Sequence, residues 1–62
     1  MNQAELMTLC SKVLGSDAIA RDWMAEPAMA LDNQPPAYLM DTKKGRQQIE
    51  VLLTQLEFGV YI

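Results

Sequence analysis

The stretch from Lys43 to Phe58 reads KKGRQQIEVLLTQLEF, and the placing of its apolar residues decides the fold. Ile49, Leu52, Leu53 and Leu56 recur at the three- and four-residue steps that bring side chains to one face of an α-helix, and Val60 continues the series. Thr42 stands just ahead of the run with a hydroxyl able to accept from a free first-turn N–H, and Asp41 is a second residue of capping type. Gly59 supplies the stop. The spacing predicts one long helix over roughly 43–58, the strongest amphipathic signal in the chain.

Working back from that helix, Pro35 and Pro36 suit the start of a short third helix that runs on through Ala37–Met40, because a missing N–H is harmless in a first turn. Residues 28–34 read as an irregular loop anchored by Leu31, with Asp32 and Asn33 at its turn. Asp17 to Glu26 reads as a helix capped by Ser16 and ended by Pro27, which pushes the residue before it out of the α region. Ile19 and Trp23 are expected on its buried side. The first helix, Asn2 to Leu14, carries the stripe Leu6, Leu9, Cys10 and Val13 and closes at Gly15. No strand-period run or repeat interrupts this pattern. The expected fold class is all-α, a small four-helix domain with a long C-terminal helix and a single domain over residues 1–62.

A chain of 62 residues holds one core and buries about 60% of the surface its unfolded form exposes. Half of the residues are apolar and 21% are charged, too apolar a mixture for a disordered tail. Five Lys and Arg against eight Asp and Glu give a net charge of −3, a poor start for gripping a polyanion. With no His and one Cys, the chain lacks the usual metal-site patterns and any imidazole to activate a nucleophile. No catalysis and no cofactor are expected. Neither a signal peptide nor an apolar run of membrane-spanning length is present, and the chain reads as cytosolic. A core this small, without disulfide or metal, gains from a partner surface, so the composition favours an interaction module.

Individual residues carry little chemistry. Trp23 reads as core filler rather than a binding anchor, since a small domain needs its one large aromatic inside. Met7, Met24, Met29 and Met40 fit either gap-filling or an adaptable contact surface. Cys10 lies on a buried stripe with no cationic neighbour in sequence to lower its pKa. Glu50 and Glu57 share a side of the last helix but lack the pocket and third group a catalytic pair would need. Lys43, Lys44 and Arg46 sit where the helix macrodipole disfavours cations by a few tenths of a kcal/mol each, which marks the cluster as a functional surface or a merely solvated end. Val60, Tyr61 and Ile62 form an apolar, aromatic chain end, expected either to contact a partner or to fold back on the domain's own core.

The order of these signals resembles a known family. Leu14-Gly15, then a helix carrying Trp23, Pro27, Leu31, Pro36, Leu39-Met40-Asp41-Thr42, Gly45 and the closing Glu57-Phe58-Gly59-Val60-Tyr61 are similar to the toxin-binding domain of Xre/MbcA/ParS-type antitoxins. The resemblance covers roughly Leu9 to Tyr61. Its most specific pieces are Trp23 to Pro27, Asp41 to Arg46 and Gly59 to Tyr61. It implies a helical inhibitor that binds a RES-domain toxin and blocks its NAD-consuming active site. Two departures stand out: Asp32-Asn33 replaces a turn that often holds glycines, and Pro35 replaces a frequent capping Thr. Family members commonly carry a helix-turn-helix-like domain ahead of this one, absent from these residues, so DNA binding is not expected from this chain alone.

Three readings follow. The first is an antitoxin module that occludes a RES-type toxin through Glu57, Phe58, Val60, Tyr61 and Ile62, with Lys43, Lys44 and Arg46 as a second patch. The second is a nucleic-acid-binding fragment using that basic cluster at a helix N-terminus, against which the acidic total stands. The third is a self-associating module whose apolar end pairs with its own copy.

Overall fold

The computed structural model describes residues 1–59. Helix α1 spans Gln3–Leu14 and starts on a reciprocal cap. The Asn2 side chain accepts from the Glu5 N–H at 2.8 Å, and the Glu5 carboxylate accepts from the Asn2 N–H at 3.0 Å. The helix closes on Gly15, whose φ of 107° is strained for any residue with a Cβ and whose N–H donates to the Ser11 carbonyl at 2.8 Å. Ser16 then caps helix α2, Asp17–Ala25, by accepting from the Ile19 N–H at 3.1 Å. Pro27 holds Glu26 in an extended conformation, φ −94° and ψ 140°, and α2 ends there.

The segment 28–34 is more regular than a loop. Met29–Leu31 form a 3-10 turn, and Asp32 and Asn33 both take left-handed conformations, φ 58° and 63°. Their short polar side chains make that region less costly than it is for most residues. Two left-handed residues in succession reverse the chain, so that Ala28 and Gln34 pair in one isolated antiparallel bridge. Leu31 is buried, as an anchor should be.

The expected third helix is instead a single 3-10 turn, Pro36–Leu39. Its bonds run from Tyr38 N–H to Pro35 carbonyl at 3.0 Å and from Met40 N–H to Ala37 carbonyl at 3.3 Å, each spanning three residues. Adjacent prolines remove two donors, and the cap at Thr42 begins the next helix before an α-turn can propagate. The four-helix expectation is thereby corrected to three α-helices, with two 3-10 turns between the second and the last and no strand among the described residues.

Helix α3 spans Lys43–Glu57, with Thr42 accepting from the Gly45 N–H at 2.9 Å. Both α2 and α3 pack on α1, and the Pro36–Leu39 turn packs on α2 and α3. The core consists of Leu6, Cys10, Ala20, Met24, Met40, Ile49 and Leu53, flanked by partly buried Trp23, Leu9, Val13 and Leu56. Two expectations change here. Ile19 is 52% exposed, because the inward stripe of α2 is Ala20 and Met24, with Trp23 on its flank. Small Ala20 lets α1 and α2 approach, and a bulky Ile would not. Leu52 and Leu56 are only half-buried, whereas Ile49 and Leu53 are fully enclosed.

Candidate interaction surface

The last turn of α3 packs Leu56 against the core and ends beside exposed residues. Glu57 closes α3, and Phe58 follows at the cap with its N–H bonded to the Thr54 carbonyl at 3.1 Å. Its ring is 71% exposed. Gly59 takes φ 69°, a left-handed stop. Val60, Tyr61 and Ile62, expected as contacts, lie outside the described residues.

The basic cluster divides. Lys43 and Lys44 are exposed in the first turn of α3, but Arg46 is half-buried and engaged. Its Nη1 donates to the Met40 carbonyl at 2.7 Å and its Nε to the Met1 carbonyl at 3.2 Å. Gln3 Nε2 donates to the same Met40 oxygen at 3.1 Å. Arg46 thus ties the chain's first residues and the end of the Pro36–Leu39 turn to α3. Its cation near a helix N-terminus is offset by oriented carbonyl dipoles, which resolves the broken macrodipole rule at that position. The two expected patches do not form one site: they stand at opposite ends of the 15-residue helix α3, roughly 22 Å apart.

A groove that the sequence reading did not anticipate lies between them. It has a volume of about 460 Å³ and runs between the Ala30–Asp32 turn and the outer face of α3. Leu31, Leu39, Val51 and Leu52 supply its apolar side chains. Lys44, Asp32 and the glutamines 34, 47, 48 and 55 supply polar ones. The one sequence signal for it is Val51, an aliphatic residue out of phase with the Ile49–Leu53 stripe and 53% exposed.

Among the described residues, no three His, Cys, Asp or Glu gather into a potential metal site. No helix there is long and apolar enough to cross a membrane. Cys10 is buried, and burial pushes its thiol pKa up, which disfavours the reactive thiolate. The described surface carries exposed apolar side chains, Ile19, Met29, Tyr38, Val51 and Phe58 among them, beside exposed charges such as Asp32, Lys43 and Lys44.

No curated protein and no solved structure matches the chain. Residues 11–59, from the last turn of α1 to the glycine after α3, match the family model of the Antitoxin Xre/MbcA/ParS C-terminal toxin-binding domain. Over that span lie α2, both 3-10 turns and the whole of α3, so the chain belongs to the Xre/MbcA/ParS antitoxin family through its C-terminal toxin-binding domain.

Proposed function

We propose that the chain neutralises a RES-type, NAD-consuming toxin in the bacterial cytoplasm by binding it and occluding its active site, without catalysis of its own. The observation that carries this reading is the family match across α2, α3 and the turns between them. The contacts proposed are Glu57, Phe58 and the chain end Val60, Tyr61 and Ile62, with Lys43, Lys44 and Arg46 as a second patch, in which the Arg46 guanidinium also bonds the Met40 and Met1 carbonyls. The exposed Phe58 ring supports the first patch, since aromatic side chains are enriched among interface anchors. The engagement of Arg46 weighs against a nucleic-acid role, since two free lysines make too small a footprint for tight phosphate binding.

The test is a titration of this chain into a purified RES-type toxin while NAD consumption is followed. Loss of turnover that saturates at a fixed molar ratio is expected. Undiminished turnover in a large excess of the chain would overturn the reading.

A further inference from the structure

The two proposed contact patches are far apart, and the groove is what joins them. Lys44, Gln48, Val51 and Gln55 line it from α3. These positions step by three and four residues, so they share one helical face, and Phe58 follows Gln55 by three. That face is turned away from the stripe of Ile49 and Leu53 that α3 buries in the core. Lys44 of the basic patch and Phe58 of the C-terminal patch are thus the two ends of a single strip, with the apolar groove between them.

The groove also has a direction. Lys44 stands on α3 and Asp32 on the opposite wall, in the left-handed turn, so the lining carries one cation and one carboxylate on separate elements. Its remaining polar groups include Gln47 and Gln55, whose amides donate and accept equally and suit a peptide backbone.

We infer that this groove is the main docking surface for the toxin, taking a segment of it that seats one aliphatic or aromatic side chain against Leu31, Val51 and Leu52, flanked by a carboxylate facing Lys44 and a cation facing Asp32. The inference rests on the toxin-binding reading and adds to it the face and the chemistry of the bound segment. The match to a toxin-binding domain names the occupant, and the opposite charges of Lys44 and Asp32 on the two walls select the chemistry of the segment it presents. A second copy of this chain is the competing occupant.

The experiment measures binding of a purified RES-type toxin to the wild type and to four variants. Val51→Gln removes the exposed aliphatic with a residue that favours helix. Lys44→Glu reverses the cation, and a carboxylate in the first turn of α3 favours folding, so lost binding with an unchanged or raised thermal midpoint separates contact from stability. Asp32→Asn removes the carboxylate with a residue that tolerates the left-handed turn. Ile19→Gln is the matched control, an equally exposed aliphatic that does not line the groove.

The first three variants are expected to weaken binding by about tenfold or more each, with Ile19→Gln within about twofold of the wild type. Wild-type affinity in Val51→Gln and Lys44→Glu, with the wild type binding the toxin, overturns the groove and leaves the toxin-binding reading standing. A toxin that fails to bind the wild type overturns both. A dimer of the free chain that Val51→Gln converts to monomer, without effect on toxin binding, assigns the groove to self-association and overturns the inference.

Discussion

The Cα of Gly45 packs against the carbonyl group of Leu39 so closely that a Cβ at position 45 would fall onto that carbonyl oxygen and 2.9 Å from its carbon. The obstacle is backbone, and it cannot swing aside as a side-chain tip would. This contact brings the Pro36–Leu39 turn against the first turn of α3 and sets Met40 where Arg46 and Gln3 reach its carbonyl.

Gly45→Ala is therefore expected to destabilise the domain by about 1–3 kcal/mol, the range for overpacking a tight contact, although Ala outranks Gly in an open helix by about 1 kcal/mol. A urea midpoint equal to or above that of the wild type would show that the turn can move away.

Arg46→Met keeps the length of the stem and removes the donors. A loss of about 1 kcal/mol is expected, below the range of about 1.5–3 kcal/mol for bonds from a charged donor, because Gln3 still serves the Met40 oxygen. That corresponds to a fall of roughly 4–8 °C in Tm for a domain of this size. Lys43→Gln and Lys44→Gln should leave Tm unchanged or slightly raised, since both relieve an unfavourable position near the α3 N-terminus. Equal falls for all three would mean that the cluster acts as a unit after all.

The boundaries at Ser16, Pro27 and Thr42 were legible because they depend on neighbours in sequence: Ser16 with Ile19, Thr42 with Gly45 and Pro27 with Glu26 all act within three residues. The Asn2–Glu5 cap is equally local, but the sequence reading passes over it and takes Asn2 as the first helical residue. The Leu6–Cys10 and Ile49–Leu53 stripes were legible by periodicity. The buried side of α2 was not, since Ala20 carries no hydrophobic signal against Ile19, and only the approach of α1 selects the smaller residue. Arg46 looked like a free cation because the carbonyls it serves belong to Met40 and Met1, one of them 45 residues away. The groove was hidden for a similar reason: it needs the 28–34 segment folded back beside α3.

Leu52 and Leu53 are neighbours with different roles. Leu53 is fully enclosed, and Leu53→Ala is expected to cost about 2–5 kcal/mol, a large share of the stability of a small domain. Leu52 is half-buried along the groove, so Leu52→Ala should cost about half as much or less. Denaturant midpoints that fall equally would contradict the assigned burial.

Cys10 gives a pH dependence with a definite sign. Burial raises its thiol pKa in the folded state, so the folded chain holds a proton that the unfolded chain has released once pH passes the ordinary thiol range of about 8.5. The contribution is fully present below that range and is lost as pH rises towards the folded-state pKa. Relative to Cys10→Ala, the wild type should therefore lose stability as pH rises above about 8.5. A flat difference between the two denaturation series across that range would refute it. Alkylation of the native thiol should likewise be slow and should accelerate as urea unfolds the chain.

Phe58 separates binding from folding at the end of α3. With its ring 71% exposed, Phe58→Ser removes little packing, and stability should change by no more than about 0.5 kcal/mol. If the ring is a toxin contact, the same variant should inhibit NAD consumption at least about tenfold less effectively, a loss in the range of an interface anchor. Deletion of residues 60–62 completes the comparison, because the chain end can serve the toxin or the domain itself. Weakened inhibition at an unchanged thermal midpoint assigns these residues to the interface, and a lowered midpoint with full inhibition by the folded fraction assigns them to the domain's own stability. Full inhibition by both Phe58→Ser and the truncated chain would remove the end of α3 from the contact surface, and the toxin would then have to be held through the groove and Lys44 alone.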